Sequence, residues 1–98
     1  MLEELTRDRF YECLNTSFRL VEGPQAGLAL NLVQVSELRT SPKYEMFSLL
    51  FDGPAEYLLQ QRIYQLENDR LGKMELFLVP VGREKEVFHY EAVFNRLL

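Results

Sequence analysis

Apolar residues recur along the chain in two rhythms. Near the N-terminus, Phe10, Cys13 and Leu14 fall at helical spacing. The residues before them carry start signals: Thr6 offers an N-cap hydroxyl, Asp8 complements the helix dipole, and Leu5 and Phe10 occupy the positions of a hydrophobic staple. The pattern predicts a helix over about 6–14, stopping near Asn15, a residue type that tolerates the left-handed conformation.

From Thr16 onward the rhythm changes to short aromatic and aliphatic runs, each closed by Gly, Pro, Asn or Asp. Strands are predicted over about 17–22, 28–38, 44–51, 63–67, 73–81 and 87–95. In the second, Leu28, Leu30 and Leu32 alternate before the phase moves to Val33 and Val35, which predicts a β-bulge near Leu32. Turns are expected at 23–27, 52–54 and 68–72, a polar connection at 39–43, and a charged hairpin loop at 82–86. Residues 55–68 fit both rhythms, and the reading is a helical turn followed by a strand. The fold class is therefore mainly β, a six-stranded antiparallel meander forming a small barrel or a sandwich, with a short N-terminal α-helix. Neither a linker nor a repeat divides the chain, so residues 1–98 are read as a single domain.

Some of these strands are apolar on both sides, whereas an antiparallel sheet with one wet face alternates. Phe47, Leu49 and Phe51 share one face while Met46 and Leu50 hold the other; Phe77 and Val79 oppose Met74, Leu76 and Leu78; Val87 and Val93 oppose Phe88, Tyr90, Ala92 and Phe94. Burying one Phe or Leu stabilises by about 1.5–3 kcal/mol, so the second face calls for a cover. That cover is either the helix with residues 55–59, or a partner molecule. Pro80, lacking an amide hydrogen, belongs at an edge, a bulge or a strand end. Met46, Leu50, Phe77, Val79, Pro80 and Val93 form the candidate interface.

Charge and composition narrow the partners. The formal charge is -4, and the eleven basic residues are scattered from Arg7 to Arg96. No cationic stripe exists to neutralise a phosphate backbone, so nucleic acid is not an expected partner. No apolar run reaches the roughly 20 residues that cross a bilayer, and the N-terminus, Met1-Leu2-Glu3-Glu4, is acidic where a leader is basic. A cytoplasmic protein without membrane contact is expected.

Candidate chemistry is sparse. Cys13 and His89 are the single residues of their types, so an internal disulfide and a Cys/His zinc set are both excluded. On the apolar side of a short helix, Cys13 reads as a small core residue. His89 and Glu91 lie two apart on one strand face, and Glu75 on the neighbouring strand could join them as a weak polar cluster, the most that a metal or acid/base site could be built from. Ser48 has no Gly-x-Ser-x-Gly around it, and each glycine stands where a turn is already indicated. No catalytic residue, metal ligand or cofactor is assigned, and an enzyme is not expected.

With these residues laid out, the chain resembles a family of short bacterial proteins known as a domain of unknown function. The resemblance rests on the stretches Phe47-Ser48-Leu49-Leu50-Phe51-Asp52-Gly53-Pro54, Tyr64-Gln65-Leu66-Glu67, Leu71-Gly72-Lys73-Met74-Glu75-Leu76-Phe77-Leu78-Val79-Pro80-Val81-Gly82 and Tyr90-Glu91-Ala92-Val93-Phe94-Asn95. It implies no activity, ligand or catalytic residue, and it places phage-tail-like structural proteins among the expected partners. Where relatives are expected to read His-Pro after the Leu-Glu pair, this chain has Asn68-Asp69. The functional expectation is a non-catalytic protein-interaction or assembly module that self-associates or docks on a larger protein. The alternative is a small-molecule-binding β-barrel, or a minor enzyme, with a site near His89, Glu91 and Glu75.

Overall fold

The computed structural model describes residues 5–97, so the acidic N-terminus used in the leader argument lies outside the described residues. A helix α1 (Arg7–Tyr11) precedes strands β1 (Ser17–Leu20), β2 (Ala29–Val35), β3 (Arg39–Thr40), β4 (Tyr44–Pro54), β5 (Arg62–Asn68), β6 (Gly72–Glu84) and β7 (Val87–Leu97). Six of the strands close an antiparallel barrel in the circular order β1-β2-β4-β7-β6-β5, while β3 continues the β2 side of β4. Barrel rather than sandwich follows from the two closing ladders, β1 with β5 and β2 with β4, which give each barrel strand a partner on both sides. Neighbours in space are neighbours in sequence within β1-β2-β4 and within β5-β6-β7. Between these two meanders, residues 55–61 cross from β4 to β5 without pairing them, and β4 pairs with β7 instead.

The helix starts as its sequence predicts, with the Thr6 hydroxyl accepting a hydrogen bond from the Arg9 N–H at 3.3 Å. It is shorter than the apolar spacing suggests. Its last turn tightens, Cys13 donating to the Phe10 carbonyl and Leu14 to that of Tyr11, and Asn15 then adopts φ 65 and gives its amide to the Leu32 carbonyl at 2.7 Å. An amide committed to β2 cannot extend a helix.

The predicted bulge is present as a register shift between Leu32 and Gln34 on β2. A second lies between Pro80 and Gly82, where Val81 is the extra residue, so Pro80 sits where the β6–β7 ladder opens. Beyond it the ladder resumes with Gly82 opposite His89 and Glu84 opposite Val87. The hairpin loop is accordingly Lys85 and Glu86 alone, not the whole charged stretch: charged side chains there point to water from a regular strand.

Residues 55–61 are not helical. One turn closes with the Tyr57 amide on the Pro54 carbonyl at 3.3 Å, and the chain then runs as an irregular strap. Leu59 is buried within it while Leu58 stays exposed, so the helical stripe read from this pair does not form. The Leu59 amide donates to the Tyr90 hydroxyl at 2.9 Å, which itself donates to the Tyr57 carbonyl, and the Tyr64 hydroxyl donates to the Gln60 carbonyl at 2.6 Å.

Inward residues fill the barrel from both ends. The Phe10 ring lies 5.1 Å from Phe94, 6.1 Å from Phe47 and 6.2 Å from Phe18, and Phe47 stacks on Phe94 at 4.9 Å. Helix and strap thus insert Phe10 and Leu59 into the core, and neither lies over the outer face of the sheet as an intramolecular cover would. Asn68 is the buried polar residue of this interior. Its amide donates to Thr16 Oγ1 (3.1 Å) and the Ser17 carbonyl (2.9 Å), and its Oδ1 accepts from the amides of Arg70 (2.9 Å) and Leu71 (3.1 Å) and from the Cys13 thiol (3.7 Å). One side chain joins the helix tail, the start of β1 and the β5–β6 turn.

Asn68→Ala removes these bonds and leaves several buried groups unmatched, so it is expected to cost about 2–3 kcal/mol in urea unfolding. Gly53→Ala is expected to cost about 1–3 kcal/mol in the same assay. There a Cβ would lie 2.7 Å from Leu30 Cδ2 and 3.1 Å from Tyr90 Cε2 inside the packed barrel.

Candidate functional site

The outer face of β5, β6, β7 and β4 gathers five of the residues named as the candidate interface; the sixth, Pro80, pairs with the buried Tyr90 and so faces the barrel side of β6 rather than the outside. Ile63 and Phe77 stand opposite each other across β5 and β6. To one side, Val79, Glu91 and Leu50 run across β6, β7 and β4; back on the Phe77 side of that row stand Val93 beside Ser48 and then Asn95 beside Met46. Ile63, Phe77 and Val93 are 60%, 49% and 51% exposed, large values for side chains of this size with cross-strand neighbours. Met46, Leu50, Val79 and Pro80 are half-buried, by their neighbours on the sheet. All six predicted residues lie on the contiguous strands β4, β7 and β6; Ile63 joins from β5. Its signal was the alternation of Ile63, Gln65 and Glu67 against Tyr64, Leu66 and Asn68, obscured by the competing helical stripe.

Two depressions flank the apolar rows. A shallow hollow of about 200 Å³ between Ser36, Arg39, Met46, Ser48, Glu91 and Val93 opens on the same outer face. A wider groove of about 650 Å³ runs beside the helix start, floored by Phe47 and Phe94 and walled by Leu5, Arg7, Leu38 and Arg96. Arg7 is tied there by Nε to the Ser36 carbonyl at 3.0 Å, and Arg96 pairs with Glu45.

The polar cluster read from the sequence is assembled differently. Glu75 accepts a hydrogen bond from Gln65 at 3.3 Å on β5, and Glu91 lies between Leu50 and Val79. His89 instead has Nδ1 at 2.6 Å from Asp52 Oδ1 on β4 and Nε2 at 2.9 Å from Glu84 Oε1 on β6. The ring is mostly covered, Asp52 less so, and Glu84 is largely in water. An ionised carboxylate only accepts, so both contacts are hydrogen bonds together when the ring carries both protons. The Asp52 bond first, and the Glu84 bond second, hold the His89 pKa above its ordinary value, against the opposing effect of burial. Among the described residues, no three His, Cys, Asp or Glu side chains are placed to hold a metal ion; the carboxylates meet His89 on opposite ring nitrogens and do not converge.

What fold and surface define is a small closed β-barrel with a filled interior and an apolar outer face. Residues 5–94 match the family described as Domain of unknown function (DUF6916), and the chain belongs to that family. Neither a curated protein nor a solved structure matches it. No described helix is long and apolar enough to cross a membrane.

The histidine gives stability a pH dependence of definite sign. Because the folded pKa is raised, its contribution is fully present below the ordinary histidine value and is lost as pH rises through the raised one. Urea midpoints of the wild type are expected to fall across that window relative to those of His89→Gln, which has no ring to titrate. Parallel pH profiles of the two proteins would contradict the bridged imidazolium.

Proposed function

We propose that this protein is a non-catalytic interaction module that docks through the outer face of β5, β6, β7 and β4. The observation that carries the reading is the outward apolar group Ile63, Phe77 and Val93, roughly half exposed or more on a closed sheet whose helix and strap are already engaged at the core. Exposed apolar surface of this kind, with Gln65 and Glu75 beside it and Glu91 set among it, has the make-up of a protein contact. The partner is a protein, with a second copy of the chain as the first candidate and a larger assembly, such as a phage-tail-like structure, as the next. A cytoplasmic setting goes with this reading.

A ligand-binding barrel has less support. Phe10, Phe18, Phe51, Leu59 and Tyr90 occupy the interior that a small molecule would need, and His89 is engaged by its two carboxylates rather than aimed into a cavity.

Sedimentation velocity over a concentration series tests the docking face. The wild type is expected to associate, and Phe77→Lys with Val93→Lys to sediment as a monomer while its urea stability changes by about 1 kcal/mol or less. If the wild type stays monomeric and the double variant captures the same proteins from the host as the wild type does, the face is not a docking surface.

A further inference from the structure

The His89 cluster sits at the β6–β7 hairpin tip, and the tip touches the strap. Glu84, the second partner of His89, is the last residue of β6 and immediately precedes the Lys85-Glu86 turn. In that turn Lys85 holds φ 40, a conformation costly for a residue with a Cβ, so the turn must be held by its surroundings. The next residue, Glu86, accepts the Ala55 amide at 3.0 Å through its backbone carbonyl, and Ala55 opens the strap whose Leu59 enters the core.

We infer that the His89 imidazolium, bridging Asp52 and Glu84, is a latch: it holds the strained Lys85-Glu86 turn and, through the Glu86 carbonyl, the start of the 55–61 strap, and loss of one ring proton releases both. A neutral imidazole keeps a single N–H. That hydrogen stays with Asp52, the closer and more sheltered carboxylate, while Nε2 turns a lone pair toward Glu84. Two acceptors at that separation repel, and Glu84, largely in water, swings away. The turn then relaxes toward conformations that Lys85 prefers, which moves the Glu86 carbonyl from the Ala55 amide. Leu59 and Tyr90 keep the far part of the strap seated, so the released element is its first turn and the hairpin tip.

The charged and titratable neighbours favour the protonated ring. On β4 the facing group is Asp52 and on β6 it is Glu84; Arg83 lies on the alternate side of β6 with its guanidinium over the Phe88 ring. On β7, Glu91 shares the outward side; the turn carries Lys85 and Glu86, and the strap Glu56. Across β4 from Asp52, β2 supplies the neutral Asn31. Release therefore belongs to the alkaline side of the ordinary histidine range. The latch does not depend on the docking face.

Two NMR measurements on the whole chain test it: the pH titration of the His89 Cε1 proton, and amide exchange at Ala55 corrected for its intrinsic pH dependence. The expected result is a drop of about threefold or more in Ala55 protection that tracks the His89 midpoint, with Leu49 in the β4–β7 ladder unchanged. Glu84→Gln, at an exposed position, is expected to fold normally and to lose the step at Ala55 while His89 still titrates. Ala55 protection that ignores the His89 titration, or a step that survives in Glu84→Gln, would overturn the latch.

Discussion

A six-stranded barrel has an interior about one layer of side chains deep, and each of its mouths must be stoppered by residues from outside the strands. That constraint organises the molecule. At one mouth α1 delivers Phe10 onto Phe18, Phe47 and Phe94; at the other the strap delivers Leu59 against the Tyr90 hydroxyl. Burial raises the pKa of Tyr90 and of Tyr64, and both hydroxyls donate to carbonyls of the strap. Both non-strand segments are consumed by this task, and for that reason Ile63, Phe77 and Val93 remain uncovered outside.

Closing so narrow a barrel requires strong local curvature, and the chain supplies it where pairing can be interrupted at least cost. The bulges at Leu32/Gln34 and at Pro80/Gly82 each add a residue to one strand, and the missing amide of Pro80 costs nothing where the ladder has already opened. Gly53 leaves on β4 the space that Leu30 and the Tyr90 ring fill, where a Cβ would collide with both. Asn68 meets the opposite need, a polar side chain taken inside because it satisfies backbone groups of β1 and of the β5–β6 turn while also accepting from the Cys13 thiol.

The same curvature places the polar chemistry. His89 comes opposite Gly82 only because Val81 is bulged out, and it meets Asp52 only because β4 pairs with β7 along its whole length. Shifting either register by one residue would turn His89 to the other face. Glu75, two strands from β4 and facing Gln65, is outside that geometry.

Short-range chemistry was legible in the sequence. The Thr6 cap, the left-handed Asn15, the bulge near Leu32, the break at Pro80 and the six strands each follow from steric and hydrogen-bonding preferences acting within a few residues, and each is present in the fold. The two-sided apolar strands were equally legible, because alternation is a property of one strand alone. Tertiary structure alone decided what lay between distant segments: that β4 passes over β5 to pair with β7, that Asp52 and His89 meet across 37 residues, and that Leu59 rather than Leu58 turns inward. Those outcomes depend on which faces become buried when the barrel closes, and that free energy belongs to the assembled core rather than to any stretch of chain.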